Sequence, residues 1–238
     1  MPRLYVDLEL TTQSLLNLPH EVVRHIQVLR LRENQEITLF NGDGYNYQAK
    51  LLTLAKREAQ VAITTKIPNC VESTYEVSLY MALIANDKFD LVVQKAVELG
   101  VTQIVPINCQ HTQRFKAEKI SAKLEHWQKI VIAASEQCGR SRLAQIAPPS
   151  EFSQALTQAN AELKFILSPY HHSKLTPVQV ASMALMIGPE GGFTAEEITL
   201  AVQAGFQPLK LGPRILRAET AAIAGLSLIQ ATYGDLIT

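Results

Sequence analysis

A small β-barrel followed by an α/β domain is the fold class this sequence predicts, and three observations predict it. Before residue 68, short alternating strands follow one another at close spacing, as in small barrels. From Tyr75 onward, apolar strands alternate with helical stretches, which predicts right-handed βαβ units on a parallel sheet. Near the C-terminus, Leu185-Met186-Ile187-Gly188-Pro189-Glu190-Gly191-Gly192-Phe193 and Leu211-Gly212-Pro213-Arg214-Ile215-Leu216-Arg217-Ala218-Glu219 each break an apolar segment at Gly-Pro and then turn helical. A strand, a tight turn and a helix start form a common ligand-holding place in α/β proteins.

The elements follow in order. Ile37-Thr38-Leu39-Phe40 runs into Asn41-Gly42-Asp43-Gly44, a hairpin signal, and Tyr45 to Leu51 then alternates. Ala59 to Thr64 reads as another strand. One helix, His20 to Leu29, precedes these strands, with Asn17 or Pro19 at its start. This part carries Arg3, Arg24, His25, Arg30 and Arg32. Taken singly each reads as solvated surface; converging, they would make a face that grips phosphate. Pro68-Asn69-Cys70-Val71-Glu72-Ser73 has linker composition, which divides the chain into domains 1–70 and 71–238.

In the second domain, Val77 to Ile84 is a buried-type strand. Asn86 or Asp87 is placed to cap a helix whose apolar positions Phe89, Val92, Val93, Ala96, Val97 and Leu99 keep helical spacing. Gly100 ends that helix and Gln103 to Ile107 is the next strand. A long helix from about Ala117 to Cys138 turns Ile120, Leu124, Trp127, Val131 and Ala134 inward, and Lys116, Lys119, Lys123 and Lys129 to solvent. Its tip holds Arg140 and Arg142, where the helix dipole favours cations and a substrate-facing role competes. Ser150 is expected to cap a short helix to about Asn160. Leu163 to Ser168 and Met183 to Ile187 are strands, and Thr194-Ala195-Glu196-Glu197 is a capping box. The final helix, about Glu219 to Tyr233, shows so little polar surface that burial and a subunit contact are expected.

Composition narrows the function classes. Lys+Arg 22 against Asp+Glu 22 leaves no bulk charge to announce nucleic acid or membrane, only room for local basic patches. Three cysteines, Cys70, Cys109 and Cys138, without a Cys-x-x-Cys pair point to reduced thiols in a cytoplasm. No signal peptide or spanning segment is evident. Adjacent His171-His172 lack partners at ligand spacing, so no metal is expected. The dinucleotide, P-loop and nucleophile-elbow patterns are absent. What remains is the pair of Gly-Pro turns with Glu190, Arg214, Arg217 and Glu219.

Those turns carry a resemblance. Ile187 to Phe193 together with Leu211 to Ala221 resemble the bacterial 16S rRNA uracil-N3 methyltransferases of the SPOUT superfamily. So do Arg3-Leu4-Tyr5-Val6, His25 to Arg30, Gln94 to Val101, and Trp127 to Ile130 with Glu136 to Arg140. Two places depart from the family pattern: Ala85-Asn86-Asp87 stands where many members have a basic-Gly pair, and Asn34 where glycine is common. The resemblance implies a PUA-like β-barrel domain, then a SPOUT methyltransferase domain with a C-terminal trefoil knot. It implies S-adenosyl-L-methionine as cofactor, a homodimer, and 3-methyluridine in 16S rRNA of the small ribosomal subunit as product. Leu167, Ile187, Gly188, Gly191, Gly192, Leu211, Gly212, Leu216 and Ala218 would then hold the cofactor. Arg217 would steady the developing uracil anion or a phosphate, and Glu190 or Glu219 would take the N3 proton or brace a loop. Arg3, Arg24, Arg30, Arg140, Arg142 and Arg214 would meet RNA. The rivals are a SPOUT enzyme acting on another RNA or base, and a non-catalytic RNA-binding protein.

Overall fold

Alternation of apolar and polar residues over 45–51 and 59–63 marks the two long strands of the first sheet, because period-2 burial fits strands and not helices. A computed structural model describes residues 1–73, 75–112, 117–170 and 175–237. They divide into two units: Met1–Glu72 with Ser135–Leu143, and Ser73–Ala134 with Ala144–Thr238. His171-His172 and Lys116 lie outside the described residues.

In the first unit the strands are β1 (Arg3–Tyr5), β2 (Ser14–Asn17), β3 (Glu36–Phe40), β4 (Tyr45–Leu54) and β5 (Ala59–Pro68), with helix α1 (His20–Val28) between β2 and β3. They pair in the order β1-β3-β4-β5-β2. The β1–β3 pair is parallel and the others antiparallel. Gly42 (φ 96°) and Gly44 (φ 88°) supply the positive φ that the β3–β4 turn needs. Two register shifts in the β4–β5 ladder add local twist. Leu4, Ile37, Leu39, Tyr47, Leu51, Val61 and Ile63 close over Val23 and Ile26 of α1 to form the core. Asn34 stands at φ 69°, a left-handed conformation that asparagine tolerates, at a position where glycine was the family expectation.

A buried polar hub ties residues 135–143 into this unit. One Glu72 oxygen, Oε1, accepts the backbone N–H of Ser141 and of Arg142, each at 2.7 Å, while Oε2 pairs with Arg140 Nε at 3.0 Å. Arg3 donates to Asn46 Oδ1 at 2.8 Å and to Arg140 O and Ser141 Oγ at 3.0 Å. Asn69 donates to Gly139 O and Ser141 Oγ, both at 2.8 Å. Two arginines expected to meet RNA are therefore placed otherwise. Arg140 is 5% exposed and faces Glu72, and the half-buried Arg3 guanidinium donates to Asn46, the Arg140 carbonyl and the Ser141 hydroxyl.

The second unit begins with β6 (Glu76–Ala82), α2 (Asn86–Glu98) and β7 (Gln103–Asn108). A short 3₁₀ turn, Ala117–Lys119, leads into α3 (Ile120–Cys138), whose last four residues group with the first unit. Then come β8 (Gln145–Ile146), β9 (Ser150–Glu151), α4 (Phe152–Gln158), β10 (Leu163–Leu167), β11 (Ser182–Ile187), α5 (Ala195–Gln203), β12 (Gln207–Leu209) and α6 (Ala218–Tyr233). The seven strands are all parallel, in the order β12-β10-β11-β6-β7-β8 with β9 also beside β7. Val77, Leu79, Met81 and Met183 to Ile187 are buried, as strands covered on both faces must be. Trp127 is core, as its helical spacing predicts. It is 1% exposed, its ring lies 4.5 Å from that of Phe89, and its Nε1–H donates to Asp90.

Two caps differ from expectation. Helix α2 starts after Ala85 with no side-chain cap, and Asn86 instead accepts from Lys123 Nζ at 2.8 Å. Helix α4 starts after Glu151, because Ser150 is taken into β9 opposite Ile107. The Thr194–Glu197 capping box forms as read from the sequence. Among the described residues no helix is long and apolar enough to cross a membrane, and no group of three potential ligands is placed to hold a metal.

Replacing Glu72 by alanine leaves Arg140 buried without this counter-charge. The expected cost is about 3–5 kcal/mol, read as a lowered midpoint in thermal or urea unfolding. A second outcome concerns Glu136, whose Oε1 accepts the Tyr5 N–H at 2.9 Å. Burial raises the Glu136 carboxyl above its ordinary range, against the opposing pull of that N–H, His25 and Arg3. The fold thus holds this proton more tightly than the unfolded chain. Its contribution is fully present below the unfolded value and is lost as pH rises through the folded one. Glu136→Gln keeps an acceptor for Tyr5, so its melting temperature relative to wild type is expected to climb across that window in a pH series.

Candidate functional site

The strand order decides where the two Gly-Pro turns emerge. Strand β10 lies between β11 and β12, all three parallel, so the turns after β11 and β12 leave the same edge of the sheet on either side of Leu167. Ligands of open α/β sheets bind at such carboxyl ends.

The first turn is compact. The Gly192 N–H donates to Pro189 O at 2.9 Å, and Gly192 adopts φ 70°. A Cβ on Gly188 would lie 3.1 Å from the Phe193 ring, and one on Gly191 would lie 3.1 Å from His111 Cβ. Thr194 and Glu197 then close the start of α5, and Glu197 Oε1 also accepts the Gln110 N–H at 2.8 Å. Glu190 pairs with Lys88 Nζ at 3.2 Å, which anchors the turn to the start of α2.

The second turn follows β12. Gly212 has φ 72°, with open space where a Cβ would stand, as at Gly192. Pro213, Arg214, Ile215 and Arg217 are exposed, Leu216 is half-buried and Ala218 is buried at the start of α6. Arg217 is the residue before the helix, and its carbonyl accepts the Ala221 N–H. Glu219, in the first turn of α6, keeps a buried Oε2 without a hydrogen-bond partner. A buried acceptor left open is costly unless a donor arrives.

Strands β10 and β11 and the start of the second turn meet on α6. Around the place where a Cβ of Gly225 would stand, Leu185 Cδ2 lies at 3.0 Å, Leu167 Cδ1 at 3.4 Å and Leu211 Cδ1 at 3.8 Å. So the structure brings Leu167 and Leu211 together, with buried Ile187 at the strand end behind the first turn. It does not bring the polar candidates together: among the described residues no contact joins Glu190 to Arg217 or Glu219. Of the arginines assigned to RNA, Arg24, Arg30, Arg142 and Arg214 are exposed. A separate cavity of about 480 Å³ opens beside Asn108, Gln110, Thr112, Glu151 and Phe152, and none of the residues predicted for the cofactor lines it.

Two residues of this neighbourhood carry no signal in the sequence, His111 and Lys88 as a partner of Glu190, whereas Gly225 belongs to the final helix whose burial is expected from its small and apolar residues. A glycine inside an apolar helix does hint at close packing. The other two contacts join residues 81 and 102 positions apart, which no local pattern encodes.

Residues 71–230 match the RNA methyltransferase domain family, and residues 18–64 match the PUA domain of RNA methyltransferases. The class is thereby an RNA methyltransferase domain preceded by its PUA domain. A Neisseria gonorrhoeae ribosomal RNA small subunit methyltransferase E, solved bound to S-adenosyl methionine, is 37% identical with a TM-score of 0.94 over 100% of both chains. A Legionella pneumophila protein, assigned as a methyltransferase and solved with the cofactor SAM, is 39% identical with a TM-score of 0.94 over 98% of each. The ribosomal RNA small subunit methyltransferase E of Buchnera aphidicola subsp. Schizaphis graminum is 32% identical over 99% of this chain and 98% of its own. The chain belongs to the ribosomal RNA small subunit methyltransferase E family.

Gly225→Val sets methyl groups against Leu185 and Leu167. The expected loss is about 1–3 kcal/mol of stability, with Leu211 displaced, measured by thermal unfolding and by methyl NMR shifts at Leu167 and Leu211.

Proposed function

We propose that this protein transfers the methyl group of S-adenosyl-L-methionine to N3 of one uridine in 16S rRNA, giving 3-methyluridine near the decoding centre of the small ribosomal subunit. The observation that carries the reading is the pair of glycine turns leaving one sheet edge on either side of β10, in a chain that aligns end to end with cofactor-bound relatives. In this reading residues 1–70 are a PUA-like β-barrel that holds RNA, residues 71–238 are a SPOUT domain with a C-terminal trefoil knot, and the cytoplasmic enzyme acts as a homodimer. The insertion of β10 between β11 and β12, with Leu167 and Leu211 meeting against Gly225, supports a knotted crevice.

The residues present fit the cofactor. Open space at Gly192 and Gly212 lets a flat heterocycle approach the backbone, and Leu167, Ile187, Leu211, Leu216 and Ala218 offer apolar walls. When bound, S-adenosylmethionine supplies a methyl group on a sulfonium. The chain's own task is to prepare the nucleophile, since uracil N3 carries a proton and attacks poorly until it is lost. Glu219, with its buried open oxygen, takes that proton, whereas Glu190 is engaged by Lys88 and braces the first turn. The exposed guanidinium of Arg217, two residues before Glu219 in the chain, steadies the uracil anion as charge develops. N3 lies on the Watson–Crick edge, so the uridine must be unpaired or flipped out. Arg24, Arg30, Arg142 and Arg214 grip phosphates, and Arg3 and Arg140 hold the scaffold.

Glu219→Gln is expected to lower kcat about a hundredfold or more while cofactor affinity by calorimetry stays at the wild-type value. Undiminished transfer of labelled methyl into small-subunit rRNA would remove Glu219 from this role. For the reaction as a whole, mass spectrometry of rRNA nucleosides from a strain lacking the gene should show loss of 3-methyluridine alone; its persistence rules the assignment out.

A further inference from the structure

We propose that His111 is a positioning residue for the cofactor turn, its Nδ1–H holding the Gly192 carbonyl so that the Gly191–Gly192 backbone is set before any ligand arrives. His111 Nδ1 lies 3.1 Å from Gly192 O. A carbonyl oxygen only accepts, so the ring nitrogen facing it carries the proton. The ring also lies against Gly191: Cβ, Cγ and Nδ1 of His111 stand 3.1, 3.2 and 3.3 Å from where a Cβ of that residue would be. Glycine at 191 is thus the counterpart of histidine at 111.

The ring acts from a fixed base. The segment after β7 is fastened by Gln110 N–H to Glu197 at 2.8 Å, and by Thr112 Oγ1, which donates to Cys109 O at 2.7 Å and accepts the Cys109 N–H at 2.9 Å. Glu197 in turn closes the capping box that follows the first turn. His111 therefore links the ends of β7 and β11, two strands that β6 keeps apart in the sheet. Gly192 has its N–H on Pro189 and its C=O on His111, so both of its polar groups are committed and its φ of 70° is pinned. Glycine left to itself explores far more of φ/ψ space, and ordering it would then fall on the binding step.

This inference rests on the first turn holding S-adenosylmethionine. His111→Ala is expected to raise the cofactor Kd and KM about tenfold, with kcat at saturating cofactor unchanged. His111→Asn, whose amide N–H stands where Nδ1–H does, should recover most of the affinity. Both variants should melt near the wild-type temperature, which separates a set turn from a damaged fold. Nitrogen NMR of the wild-type ring should report the Nδ1–H tautomer. Wild-type cofactor affinity in His111→Ala, or an Nε2–H tautomer, overturns the proposal. Failure of the wild-type protein to bind S-adenosylmethionine at all would instead overturn the cofactor reading, while the tautomer still decides the contact itself.

Discussion

The missing side chain at Gly225 is the constraint on which the second unit's architecture depends. Helix α6 can approach the sheet at that point only because nothing projects there, and three leucines from β10, β11 and the second glycine turn close on the space. That contact fixes the depth of α6, and with it the height at which Arg217, Ala218 and Glu219 begin the helix. The same helix is tied at its far end, where Gln230 Nε2 donates to Leu99 O at 2.7 Å. Between these two points it has no freedom to slide, so the turn that precedes it is held in register with the end of β10.

The first unit solves a different problem, the placement of charge inside a small core. Glu72, Arg3 and Arg140 are all withdrawn from water to a large degree: Glu72 meets Arg140 and two backbone N–H groups, while Arg3 donates to Asn46, the Arg140 carbonyl and Ser141 and keeps a buried Nε without a partner. Buried ion pairs contribute little net stability against an apolar alternative, but they tolerate only one arrangement. Here that arrangement determines which residues the segment 135–143 lies against, namely Asn46, Asn69 and Glu72.

Much of this was legible in the sequence, for physical reasons. Period-2 alternation in 45–51 and 59–64 and helical spacing in 89–99 report burial directly, and the structure places those residues as the patterns require. The Thr194–Glu197 box is a contact between near neighbours and was readable for that reason. Caps failed where a tertiary partner competed: Ser150 went to a strand beside Ile107 and Asn86 to Lys123. The arginines divided along the same line. Nothing local distinguishes Arg140, which meets Glu72 across 68 positions, from Arg142, whose side chain stays exposed. His111 was invisible because its partners, Gly191 and Gly192, lie on a strand end two ladders away.

Arg3 and Arg140 are taken by the scaffold, and the chain as a whole balances 22 basic against 22 acidic residues. The cations that stay at the surface, Arg24, Arg30, Arg142 and Arg214 among them, are matched overall by an equal number of carboxylates. A surface without net excess charge exerts less long-range pull on a polyanion than a strongly basic one does. Attraction of an anionic partner then depends on where cations cluster locally rather than on the bulk charge of the chain.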